Sequence, residues 1–93
     1  MEFEWNDAKA AANMRKHGVS FRAARLVFCD GNLLEEPDDL VGYGEERWKA
    51  VGLAETNLIA VIYTMRNERV RIISARRATR DEQREYHNQQ IRS

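Results

Sequence analysis

The chain has 93 residues, enough for one domain with a modest core and too few for a second. Hydrophobic residues at 43% and charged residues at 32% exclude a disordered chain, and the lone Cys29 excludes an internal disulfide or a cysteine-rich zinc site and fits a reducing cytosol. The net charge is zero, the first ten residues carry acids where a secretory leader would carry bases, and no stretch approaches the ~20 apolar residues of a membrane span, so a soluble, cytoplasmic protein is expected.

Phe3 to Trp5 reads as a short edge strand, and Asn6 then suits the cap of a helix over residues 7–17. That segment is rich in alanine, ends with Arg15, Lys16 and His17 in its last turn, and is followed by Gly18 where a left-handed cap is wanted. Ser20 can cap a second helix carrying Phe21, Ala24, Val27 and Phe28 at helical spacing. Beyond it the period changes. Leu33 to Glu35 forms a short strand, and Pro37 to Glu45, rich in acids and glycine, forms the principal loop. Arg47 to Leu53 alternates, with Arg47, Lys49, Val51 and Leu53 on one face. After a turn at Glu55-Thr56-Asn57 comes Leu58 to Thr64, apolar and β-branched, a central strand covered on both faces. Asn67-Glu68 turns the chain into Arg69 to Ala75, and Thr79 with Glu82 forms a capping box for a last, polar helix to about Ile91, with Tyr86 and Ile91 as its apolar anchors. Short turns between consecutive strands imply an antiparallel meander, and the order of elements an α+β fold with its helices segregated from the sheet.

The charges are segregated too. Residues 1–45 hold five bases against nine acids, and residues 46–93 hold ten bases against six acids. The densest feature is Arg66 to Arg84, with Arg66, Arg69, Arg71, Arg76, Arg77, Arg80 and Arg84. Simple alternation puts Arg69, Arg71, Ile73 and Ala75 on one face and Val70, Ile72, Ser74 and Arg76 on the other. The strand end presents Ser74, Arg76 and Arg77 at the entry to a helix. Arginine suits phosphate because its planar fork donates two parallel hydrogen bonds. The acids nearby are too few to pair all these bases, so a phosphate-binding surface is expected there, against the plainer reading of surface ion pairs with Asp81, Glu82 and Glu85.

No metal motif is present. His17 and His87 are the two histidines, and neither has a ligand partner at recognised spacing. No phosphate-binding glycine loop, dinucleotide motif or nucleophile elbow is present either, so no cofactor is expected. Cleavage of RNA needs none, because the substrate's own 2′-OH is the nucleophile and the protein supplies positioning, charge and proton transfer.

The segments WNDAKAAANMRKHGVSF, AARLVF, ERWKAVG, VIYTMR and VRIISARRATRDEQREY, in this order over about residues 3–86, resemble the BrnT toxins. The KHG-x-x-F and R-I-I-S-A-R-R-A-T elements are specific together. Asn6 stands where that family usually has aspartate, and both residues cap helices well. The resemblance implies a RelE-like fold: an antiparallel β-sheet with two N-terminal helices and one C-terminal helix. It also implies a metal-independent endoribonuclease that blocks translation, and a BrnA-like, DNA-binding antitoxin as partner in a hetero-oligomer.

Within that frame Arg71, Arg76 and Arg77 are the candidates for holding the scissile phosphate. His17 is the candidate for moving a proton, since histidine changes charge near neutral pH. Lys16 would steady a phosphate, although a basic helix end is also explained by the helix dipole. Arg47 and Ser74 complete the candidate RNA-binding cluster, with Arg66 at the hairpin and Tyr86 either stacking a base or anchoring its helix. Trp5, Phe21, Phe28, Trp48 and Tyr63 are assigned to the core. The competing reading is a non-catalytic module that binds RNA or a protein.

Overall fold

The computed structural model describes residues 1–38 and 46–92, with side chains as far as Gln89. Most of the expected loop at 37–45, and the Ile91 anchor, lie outside the described residues and side chains. Along the chain run β1 (Phe3–Glu4), α1 (Asp7–His17), α2 (Phe21–Ala24) with a 3₁₀ turn (Arg25–Cys29), β2 (Leu34–Pro37), β3 (Trp48–Ala54), β4 (Asn57–Arg66), β5 (Arg69–Arg77) and α3 (Arg80–Arg92). The sheet order is β1-β5-β4-β3-β2.

Local chemistry explains the ends of these elements. The Asn6 side chain accepts from the backbone N–H of Lys9, and Gly18 closes α1 at φ 70°, a conformation that costs glycine little. Ser20 accepts from Ala23 N–H at the start of α2. Asn67 and Glu68 both take positive φ, 51° and 66°, the pair of left-handed residues that a two-residue hairpin turn needs.

Three features depart from the expected antiparallel sheet with segregated helices. First, β1 runs parallel to β5, pairing Phe3 with Val70 and Glu4 with Arg71. Its partner lies far along the chain, so no tight turn dictates direction. Second, the expected second helix is a single α turn that continues as 3₁₀. It presses Val27 onto Gly52, where a Cβ would stand 3.0 Å from Val27 Cγ1. Third, the helices lie on both faces. Phe21, Ala24 and Val27 share a buried cluster with Ala50, Ile59, Val61, Val70, Ile72 and Ala75 on one face. On the other, Ala78 and Tyr86 cover Val51 and Ala60, an apolar strip that would otherwise face water.

At each side of the sheet a side chain takes up backbone groups that the short edge strand leaves unpaired. Beyond the two residues of β1, the edge of β5 is exposed at Ala75. Asn13, buried in α1, donates from Nδ2 to Ala75 O and accepts Ala75 N–H on Oδ1, at 2.8 and 3.1 Å. At the opposite edge, before β2 begins, Asp30 accepts the N–H of Leu53 at 2.9 Å. Its same Oδ2 accepts from Tyr86 Oη at 2.6 Å, which ties α3 to that edge. These bonds outweigh burial and hold the Asp30 carboxyl below its ordinary range.

A bulge in β5 matters most for the site. Ser74 pairs with Ile62 and Ile72 with Tyr63, so Ile73 is an extra residue in the ladder. The alternation reverses there. Val70 and Ile72 face α1 and α2, and so do Ala75 and Arg77 after the bulge. Arg71, Ser74 and Arg76 face the α3 side. The faces expected from unbroken alternation are therefore corrected: Arg71 lies with Arg76, and Ala75 with Val70.

Candidate nucleic-acid interface

The candidate arginines separate into three settings. Arg71 pairs with Glu4 at 3.0 Å across the β1–β5 ladder. Arg76 lies five positions along the strand, roughly 15 Å away. It donates from both terminal nitrogens to the Glu82 carboxylate, at 2.7 and 3.0 Å. Lys49 reaches the same carboxylate at 2.8 Å and Glu36 at 2.8 Å. Glu82 in turn accepts the N–H of Thr79, while Thr79 Oγ1 accepts the N–H of Glu82, so the expected capping box is formed.

The buried Glu82 is thus the hub of two cations and a helix N-terminus. The Arg76 guanidinium, then Lys49 and the Thr79 amide, hold its carboxyl well below the usual carboxylate range, against the opposing effect of burial. Burial works against the charge on Lys49, but Glu36 and Glu82 prevail and raise its pKa. Hydrogen bonding to Glu82 likewise raises that of Arg76. Arg71 and Arg76, each committed to a carboxylate, frame the structure.

Arg77 differs from both. Turned to the other face by the bulge, it is exposed, and among the described residues its partner is the side-chain oxygen of Asn57 at 3.5 Å. Two hollows meet at its side chain. One, of about 180 Å³, is bounded by Met14, Gly18, Ser20, Glu55 and Asn57 and opens at the C-terminus of α1. The other, of about 360 Å³, lies on the α3 side between Leu53, Asn57, Leu58, Gln83 and His87. Arg77 and Asn57 form the crest between them.

The remaining candidates fall around this frame. The exposed Lys16 and half-buried His17 end α1, next to the Gly18 that lines the smaller hollow. Ser74 is half-buried in the middle of the sheet, level with Ile62 and Lys49. Arg47 is half-buried just before β3, where its carbonyl accepts Asp38 N–H. Arg66 is exposed at the hairpin end of β4, opposite Arg69. Tyr86 is 1% exposed, so its ring anchors α3 and has no face open to a base. Unmarked by the sequence reading are Asn57, Gln83 and His87 at the larger hollow. Gln83 and His87 stand four apart on α3, a spacing that places them on one face once the helix is known. Among the described residues no three His, Cys, Asp or Glu side chains gather as metal ligands, and no helix is long and apolar enough to cross a membrane.

No curated protein matches the sequence. Residues 5–82 match a protein family described as "Ribonuclease toxin, BrnT, of type II toxin-antitoxin system". That span runs from the start of the first helix through the Glu82 hub, and so includes the whole sheet beyond β1. The chain belongs to the BrnT family of type II toxin–antitoxin ribonuclease toxins.

Proposed function

We propose that this toxin cuts RNA at the Arg77 crest by a metal-independent transesterification. The 2′-oxygen attacks the adjacent phosphorus, the bond to the 5′-oxygen breaks, and a 2′,3′-cyclic phosphate and a 5′-hydroxyl result. The observation that carries this reading is an exposed guanidinium that no carboxylate of the described residues pairs with, at a strand end where two hollows meet. Arg77 neutralises charge developing on the phosphate oxygens. His17, the last residue of α1 and next to Gly18, moves the proton, and Lys16 draws the backbone in. Arg76 acts through the frame, holding the strand end to the start of α3 so that Arg77 projects from it, while Arg71 ties β1 to the same strand and Arg47 and Ser74 contribute to the RNA-binding surface. Arg66, at the far end of the sheet, meets flanking RNA.

The wider reading follows the family: a RelE-like arrangement of sheet and helices, arrest of translation in the cytoplasm, and neutralisation by a BrnA-like antitoxin. The test is cleavage of RNA by the purified chain in EDTA, with end-group analysis for the cyclic phosphate. Arg77→Ala lowers the rate about 10²–10³-fold while its melting temperature stays that of the wild type. Cleavage that requires a divalent ion, or an Arg77→Ala variant as fast as the wild type, overturns it.

A further inference from the structure

The larger hollow combines four kinds of surface that one ligand class needs together. Its floor is apolar: Leu58 is half-buried, and Leu53 keeps 39% of its surface exposed. One wall is the ring of the exposed His87, set edge-on to the buried Tyr86 with centroids 5.6 Å apart. Two primary amides line it. Gln83 uses Nε2 on the carbonyl of Ala78, which leaves its oxygen as an acceptor. Asn57 uses its oxygen on Arg77, which leaves its NH₂ as a donor. At the rim stands the Arg77 guanidinium.

An apolar floor and a flat ring suit a heterocycle, a donor and an acceptor suit its edge, and a guanidinium suits the phosphate one sugar away. The volume of about 360 Å³ is at the small end of ligand sites, the size for one nucleotide. We infer that this hollow is a base-specific nucleotide subsite: it seats one base flanking the phosphate held by Arg77, with His87 stacking on it and Asn57 and Gln83 reading its edge. The inference rests on the ribonuclease reading for its biological setting, but the pocket binds independently of cleavage.

Titration of the ¹⁵N-labelled protein with AMP, GMP, CMP and UMP separates the two. One nucleotide, or one pair sharing an edge pattern, shifts the amides around Asn57, Gln83 and His87. Asn57→Ala and Gln83→Ala each weaken that nucleotide at least tenfold, whereas Glu85→Ala, exposed on the same helix, leaves it unchanged. Mapping of cut sites then shows one base enriched beside the scissile phosphate in the wild type and a flattened preference in Gln83→Ala. Four nucleotides binding alike, or binding indifferent to both amide variants, overturns the subsite even if RNA is cut. Selective nucleotide binding without any RNA cleavage overturns the ribonuclease reading and leaves the subsite standing.

Discussion

The two faces of the sheet are held by different forces. Among the described residues, twelve buried ones form one apolar cluster under α1 and α2, with Phe21, Val27, Val61 and Val70 among the most deeply buried. Trp5 meets Phe21 edge-on, and Phe28 meets Tyr63 the same way. Under α3 the buried cluster among the described residues has four members, Val51, Ala60, Ala78 and Tyr86. What α3 lacks in apolar area it recovers through Glu82 at its first turn and the Tyr86–Asp30 bond farther along. One face is stabilised by volume, which is insensitive to pH. The other is stabilised by charge and directed bonds, which are not.

Substitutions on the two faces sharpen this contrast. Removing the Phe21 ring deletes the largest side chain at the centre of the first cluster and costs about 4 kcal/mol. For a domain of this size that is much of the total stability. Phe21→Ala therefore unfolds at far lower denaturant, at every pH, by circular dichroism.

Glu82→Gln leaves Arg76 and Lys49 facing a neutral amide in a buried site and costs about 3 kcal/mol at neutral pH. Here the sign of the pH effect is fixed. The folded state holds the Glu82 carboxyl below its ordinary range, so its contribution is complete above that range, begins to fall within it and is lost as the pH drops to the lowered folded-state value. The wild type loses stability from about pH 5 downward. The variant loses less over the same interval, the remainder belonging in part to Asp30, whose carboxyl is also held low. Parallel acid-unfolding curves for the two proteins contradict this account. The smallest effect belongs to Tyr86→Phe, which keeps the ring and removes the hydrogen bond to Asp30, at about 1.5 kcal/mol. Hydrogen exchange in α3 rises in that variant before exchange in α1 does.

Much of the fold is legible along the chain because it is dictated locally. Asn6 and Gly18 mark the ends of α1, Asn67-Glu68 its hairpin turn, and Thr79 with Glu82 the start of α3. What is not legible depends on pairing across the sheet. The parallel β1 and the extra residue at Ile73 leave no mark in local periodicity. Nor does the role of Asn13, polar and inside a helix, which satisfies the edge of β5 sixty-two residues away. The site suffers for the same reason. Weighing bases against nearby acids implies unpaired arginines throughout the segment, yet Arg71 finds Glu4 from the other end of the chain, and Glu82 serves two cations at once. Of the three arginines singled out, geometry leaves Arg77 available, and it adds an amide pair and a histidine that no motif announces.

The extra residue in β5 has a consequence for reading relatives of this chain. Arg76 and Arg77 are adjacent and chemically identical, and the bulge decides which becomes scaffold and which meets solvent. A homologue of the same length whose strand ran unbroken from Val70 to Ala78 would exchange their fates without changing either arginine, whereas one lacking the extra residue would keep them. Matching such sequences column by column equates residues on opposite sides of the protein, so the bulge is itself a heritable trait.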